Sequence, residues 1–138
     1  MTKEQLASLA KDAVTKAYSP YSGYKVGAAL LCKDGSVYTG CNVENASFSA
    51  TNCAERTAFF KAVSEGQREF TALAICGGKD GIIEGLFPPC GVCRQVMREF
   101  CEDDFEIHLL TRGGIETYTL GQLFPVSFQP DIIKKTEK

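Results

Sequence analysis

No stretch of this 138-residue chain approaches the ~20 consecutive apolar residues of a membrane-spanning helix. Positive charge is not in excess either: 15 Lys plus Arg stand against 17 Asp plus Glu, a net charge of -2. A polyanion-binding surface is therefore not expected, and neither nucleic acid nor a membrane is expected as a partner. Internal repeats, low-complexity segments and linkers are lacking, so residues 1–138 read as a single domain. The first eleven residues carry Lys3, Glu4 and Lys11 and alternate polar with apolar, which is not the pattern of a signal peptide. A cytoplasmic location is expected. Histidine is nearly missing as well. Its one copy, His108, lies between Ile107 and Leu109 in a strand-like run, where a lone histidine is more often structural than a metal ligand.

Cysteine, by contrast, is plentiful: Cys32, Cys41, Cys53, Cys76, Cys90, Cys93 and Cys101. An odd count without an export signal argues against a disulfide framework. In a reducing compartment, clustered thiols more often bind metal or do chemistry, whereas isolated ones behave as small buried hydrophobes. Cys32, Cys41, Cys76 and Cys101 are read as the latter.

The chain opens on a helix: Thr2 and Gln5 form a capping box, and apolar residues from Leu6 to Ala17 recur at helical spacing. Ser19 to Gly23 breaks it. Lys25 to Cys32 and Ser36 to Val43 read as strands around Asp34-Gly35, a hairpin signal. Asn52 is a candidate cap for a helix starting near Cys53 and stopping at Gly66. Phe70 to Cys76 reads as a buried strand, Gly77 to Phe87 as a loop, and Pro89 to about Glu102 as a helix. Glu106 to Thr111 and Ile115 to Leu120 are two more strands around Gly113-Gly114, followed by a short helical turn to Phe124 and a charged tail from Ile132 to Lys138, expected to fray. Helices alternating with five strands imply a three-layer α/β/α sandwich. A turn as tight as Gly113-Gly114 forces its two strands to be antiparallel. The expected fold is thus a five-stranded mixed sheet with an antiparallel last hairpin.

Three thiols and a carboxylate carry the chemistry: Cys53-Ala54-Glu55-Arg56 and Pro89-Cys90-Gly91-Val92-Cys93-Arg94. Cys90 and Cys93, three apart, share a helix face. Both segments sit at expected helix starts, where free N–H groups and the dipole favour thiolate. Three thiolates can hold one Zn2+ and leave a fourth position for water, the pattern of a catalytic zinc. Inside a regular helix, Cys53 and Glu55 would point to nearly opposite faces. They can share a site only if Cys53 lies at the helix edge. Glu55 is then a proton carrier beside the metal rather than a ligand. Zinc with three thiolates is formally anionic, so a guanidinium donating to sulfur would restore its acidity. Arg56 is assigned that task; Arg94 is either a second such donor or a solvated helix residue.

These segments resemble zinc-dependent nucleoside and nucleobase deaminases, and more closely the small homotetrameric cytidine deaminases. The resemblance rests on Pro20-Tyr21-Ser22, Val26 to Ala29, Gly40 to Ala46, Cys53 to Thr57, Lys61 to Gly66 and Cys90 to Gln95. It implies the cytidine deaminase-like fold, one zinc per subunit on Cys53, Cys90 and Cys93, and Glu55 as the catalytic proton shuttle. It also implies that the Ala54 backbone N–H holds the pyrimidine carbonyl, and that Asn42 and Glu44 bind the ribose 3′-hydroxyl. For Asn42 and Glu44 the alternative is turn chemistry after a strand. The family often has Phe where this chain has Tyr24, Tyr where it has Phe48, and Ser where it has Pro88. Tyr24 is expected as an aromatic wall against the base and Phe48 near the sugar 5′ end. Phe128 either closes a neighbouring subunit's pocket or packs in the core.

The expected reaction is hydrolytic deamination of cytidine and deoxycytidine to uridine and deoxyuridine, a pyrimidine salvage step, by a homotetramer. The competing readings are a deaminase of another aminopyrimidine such as blasticidin, a non-enzymatic zinc module with a fourth protein ligand, and a dithiol redox protein using Cys90 and Cys93.

Overall fold

Thr2 does start the first helix. Its hydroxyl accepts the Gln5 N–H at 3.1 Å while the Gln5 side chain accepts the Thr2 N–H at 2.9 Å, opening α1, Lys3–Val14. The structure, a computed structural model, describes residues 1–134. After α1 come β1 (Tyr24–Cys32), β2 (Val37–Cys41), a short 3-10 turn (Phe48–Ala50) and α2 (Ala54–Ser64). Next are β3 (Phe70–Lys79), α3 (Gly91–Phe100), β4 (Glu106–Thr111), β5 (Gly114–Thr119) and the short helices α4 (Leu120–Leu123) and α5 (Pro130–Ile133). Part of the segment expected to fray is therefore the end of α5, and Lys135 to Lys138 lie outside the described residues.

The strands form one mixed sheet in the order β2-β1-β3-β4-β5. β1 is antiparallel to both β2 and β3, β3 and β4 are parallel, and β4 and β5 close as the antiparallel hairpin. The parallel pair is the one joined through a crossover helix, α3, as chain geometry requires. Strand alternation divides the core between two faces. Ala28, Leu30, Leu73, Ile75, Ile107 and Leu109 face α2 and α3, while Ala29, Ala72, Ala74 and Cys76 face α1. Helices thus cover both faces, giving the α/β/α layering.

Two features set α2 where the site needs it. Phe59 is fully buried among Phe70, Phe100 and Phe105, with ring centroids 5.1, 6.3 and 6.1 Å away. At the opposite edge, Gly40 of β2 touches the helix backbone. A Cβ there would stand 2.5 Å from Ala58 N and 2.6 Å from Ala54 O. Only glycine allows this approach, which brings the first turn of α2 onto the sheet.

Some expectations shift. Asn52 is not a cap: Cys53 occupies the N-cap, and the Asn52 amide donates to Thr57 Oγ1 at 3.0 Å. β3 runs on through Gly77 and Gly78 to Lys79, because β1 offers paired partners that far, so the loop begins only at Asp80. α3 spans Gly91 to Phe100 rather than Pro89 to Glu102. Cys41 is half-exposed, its thiol 3.3 Å from the Lys16 carbonyl, whereas Cys32, Cys76 and Cys101 are buried. His108 is buried, with Nδ1 2.9 Å from Thr117 Oγ1 and Nε2 facing Glu106.

Candidate active site

Both helices that meet at the site begin on a cysteine. Cys53 (φ -75, ψ 157) and Cys90 (φ -70, ψ 171) are the N-caps of α2 and α3, with extended backbones and no side-chain capping bond. The extended geometry turns the Cys53 thiol toward the face that Glu55 also uses, which a helical Cys53 could not do. Cys93, in the first turn of α3, is fully buried. The Cys53 and Cys90 sulfurs are 3.8 Å apart, those of Cys90 and Cys93 3.5 Å, and all three lie within 4.8 Å of one another. Tetrahedral zinc with metal–sulfur bonds of ~2.3 Å requires sulfurs ~3.8 Å apart, so the donors fit that ion. Among the described residues, no fourth His, Cys, Asp or Glu joins the group. Cys76 belongs to the core on the other side of the sheet, and Cys41 faces Lys16. A closed structural zinc site is thus not what these side chains build.

Arg56 donates from Nη2 to Cys53 Sγ at 3.3 Å. The Cys53 thiol is pulled well below its ordinary value, first by the hydrogen bond from Cys93 and then, against the effect of burial, by this guanidinium. The Cys93 thiol moves the other way, because it donates to Cys53 and is buried. Arg94 turns away from sulfur: its Nε donates to the Pro89 carbonyl at 2.8 Å and its Nη1 to the Leu123 carbonyl. It is a half-buried strut between the α3 start and α4, neither of the two roles read from the sequence.

Glu55 is 5% exposed. Burial pushes its carboxyl up to about 7; its own backbone N–H opposes this and the charge on Cys53 adds to it. Glu55, Ala54, Cys53 and Cys90 line one cavity of about 320 Å3. Ala54 is the first residue of α2, so its N–H has no partner within the helix. Asn42, Glu44 and Tyr24 line the same cavity. Asn42 and Glu44 arrive there because Val43 and Asn52 pair by two backbone bonds of 2.9 Å, which lays the end of β2 beside the start of α2.

The Asn42 side chain accepts from Val26 N–H at 2.9 Å and donates to the Tyr24 carbonyl at 2.7 Å. Glu44 Oε1 accepts the Tyr21 and Ser22 N–H groups at 2.9 and 3.0 Å, and Oε2 accepts the Ser22 hydroxyl. The Ser22 bonds lead in holding the Glu44 carboxyl below its usual range. Asn42 is thus fastened to the start of β1 and Glu44 to the turn that precedes it, and both still line the cavity.

Phe48 and Phe128 stand outside this cavity in the single chain. Phe48 is 74% exposed and meets Tyr21 edge-on at 6.0 Å, beside a neighbouring depression. Phe128 is 54% exposed, and its carbonyl accepts the Gln95 amide at 2.9 Å. Two further lining residues come from the segment just before Cys90: Phe87, stacked on Tyr24 at 6.2 Å and 26°, and Pro88. The only hint of them in the sequence is their place just before the first thiol of Cys-x-x-Cys. Lys79, inside the stretch expected to be a loop, instead ends β3, donates to the Ser22 carbonyl at 3.0 Å and sits 5.4 Å over the Tyr24 ring.

The mixed sheet, the two helix starts capped by cysteine and the buried carboxylate between them define a zinc-site hydrolase scaffold of the deaminase class. The family described as cytidine and deoxycytidylate deaminase zinc-binding region matches residues 1–108, and the chain belongs to this family. Within it, the chain is 48% identical over 132 residues to the cytidine deaminase of Sporosarcina psychrophila, covering 95% of this chain and 94% of that one. It is 38% identical over 129 residues to that of Mycobacterium tuberculosis, covering 94% and 91%. The solved cytidine deaminase of Burkholderia pseudomallei superposes with a TM-score of 0.86 at 47% identity, over 93% of this chain and all of that one. More distantly, the blasticidin-S deaminase of Bacillus cereus is 27% identical over 128 residues, covering 90% of each chain. Zinc is the cofactor of this family, and the chain is an enzyme of it.

Proposed function

We propose that this chain hydrolyses cytidine and deoxycytidine to uridine and deoxyuridine with release of ammonia, a pyrimidine salvage reaction. The observation that carries the reading is that a carboxylate only 5% exposed and two of three thiols spaced for zinc, Cys53 and Cys90, line one nucleoside-sized cavity, with Cys93 buried just behind them. Cys53, Cys90 and Cys93 would hold zinc, which would supply the Lewis acidity that makes water nucleophilic near neutral pH.

The chain's own residues do the rest. The Ala54 N–H donates to the base carbonyl at C2, so the reacting C4 lies toward Glu55 and the thiols. The Glu55 carboxylate takes a proton from the attacking water and delivers it to ring N3. It then carries the second proton to the amino group, which departs as ammonia. A carboxyl whose affinity for protons is raised to about 7 is matched to both halves of that task. Arg56 withdraws charge from Cys53. Asn42 and Glu44 meet the ribose 3′-hydroxyl with the hydrogen-bonding capacity their turn contacts leave free, and Tyr24 walls the base. A site built to pair a hydroxyl discriminates against ligands that lack it.

The reading extends to the whole chain as one catalytic domain, working in the cytoplasm on a small nucleoside and not on nucleic acid. Its thiols are all free, which suits a reducing compartment. Phe48, Val126, Phe128 and Ile132, all large and exposed, suit a homotetramer in which Phe128 reaches a neighbour's pocket. Among the described residues, no helix is long and apolar enough to cross a membrane.

One ultraviolet assay on cytidine, deoxycytidine, cytosine and blasticidin S, with a zinc chelator and with zinc restored, tests this. Turnover of the two nucleosides that the chelator abolishes and zinc restores is the expected result. Turnover of blasticidin S alone would assign the other substrate class, and chelator-resistant turnover would remove zinc from the chemistry.

A further inference from the structure

Behind the wall of the substrate cavity lies a second space. It measures about 420 Å3, opens to solvent, and is lined by the end of β3 and the loop from Asp80 to Leu86. Only Tyr24 and Phe87 line both cavities, so their stacked rings are the partition between them. The partition is held firmly. Gly77 lies directly under Phe87: a Cβ at Gly77 would stand 2.8 Å from Phe87 Cδ2 and 2.7 Å from the Lys25 carbonyl. The backbone of Tyr24 is tied at both ends, its N–H to Ser22 Oγ at 3.0 Å and its carbonyl to the Asn42 amide at 2.7 Å. Lys79 holds the same turn through the Ser22 carbonyl.

The orientation of the base follows from the proposed deaminase reading, on which this inference rests. The C2 carbonyl and N3 address Ala54 and Glu55, both at the start of α2. The ring edge opposite them, C5–C6, therefore faces away from α2, toward the wall that Tyr24, Phe87 and Pro88 supply. We propose that Phe87 is a specificity-determining residue, the barrier that limits substituents at C5 of the pyrimidine by closing the substrate cavity off from the second one. Removing its ring joins the two spaces and admits cytidines carrying bulky groups at C5. A group gained or lost in an apolar pocket changes kcat/KM by ~10-fold or more, which sets the scale of the effect.

The test compares zinc-loaded parent, Phe87→Ala, Phe87→Leu and Leu86→Ala on cytidine, 5-methylcytidine and 5-iodocytidine. The readout is kcat/KM on each modified nucleoside divided by that on cytidine. Leu86 borders only the second space, so its truncation enlarges that space without breaching the wall. The expected result is a rise of about tenfold in the 5-iodocytidine ratio for Phe87→Ala, a smaller rise for Phe87→Leu and none for Leu86→Ala. Should the alanine variant not fold, the leucine variant decides, with a rise of about threefold or more expected. Ratios unchanged in the Phe87 variants, or raised equally by Leu86→Ala, overturn the inference. A parent that leaves cytidine untouched overturns instead the deaminase reading beneath it.

Discussion

Glu55 is placed where it costs stability, and the cost can be measured. Replacing it with glutamine keeps the shape and removes the ionisable group. In the zinc-free folded chain, burial lifts the carboxyl from 4.5 to about 7, which is worth about 3 kcal/mol once the group is forced to ionise. The folded state binds this proton more tightly than the unfolded state does. The stabilisation it gives is complete below about pH 4.5 and lost as pH rises through about 7. Glutamine is neutral throughout. Chelator-treated Glu55→Gln is therefore expected to exceed the parent by up to about 3 kcal/mol in urea denaturation at pH 8, with most of that gain gone at pH 5. With zinc restored, the same variant should bind the metal normally and lose turnover by roughly 100- to 10,000-fold. A variant no more stable than the parent at pH 8 refutes the burial argument. Near-normal turnover in the metal-loaded variant refutes the proton-carrier role.

Arg56→Gln removes the donor to Cys53 and should weaken zinc binding by roughly 10- to 100-fold, as read by competition with a chelating dye; unchanged affinity would make the 3.3 Å contact incidental. Asn42→Ala strands the Val26 N–H and the Tyr24 carbonyl and should cost about 2 to 3 kcal/mol in urea denaturation besides raising KM for cytidine. A KM effect without a stability loss would mean that water replaces both bonds. Gly40→Ala drives a methyl into the backbone of α2 and should cost about 3 kcal/mol and lower zinc affinity. Gly85→Ala, which meets nothing within 4 Å, should stay within about 0.5 kcal/mol of the parent, and equal effects would dismiss the close approach at Gly40.

Local chemistry made much of this protein readable as text. The capping box at Thr2 and Gln5, the Asp34-Gly35 and Gly113-Gly114 turns and the Cys-x-x-Cys spacing at a helix start each depend on residues within one turn of one another. Such interactions are written into neighbouring letters, so the elements, the closing hairpin and the four side chains Cys53, Glu55, Cys90 and Cys93 could be picked out before any fold was known. The layered α/β/α arrangement followed from their order.

What lay beyond reach were choices among distant partners. Asn52 could have capped α2, but pairing with Val43 left that place to Cys53. Arg94 could have turned to sulfur, but its guanidinium donates instead to the Pro89 and Leu123 carbonyls. Gly77 and Gly78 read as loop because no local pattern announces that β1 will extend the ladder to them. For Phe87 the sequence offered only its place just before the thiols; its place as a cavity wall depends on a glycine ten residues earlier and an aromatic ring on another strand. Spacing in sequence thus decided which groups of this chain can do chemistry together. Packing across the sheet decided which of them share a cavity, because burial selects among contacts that are equally open to the unfolded chain.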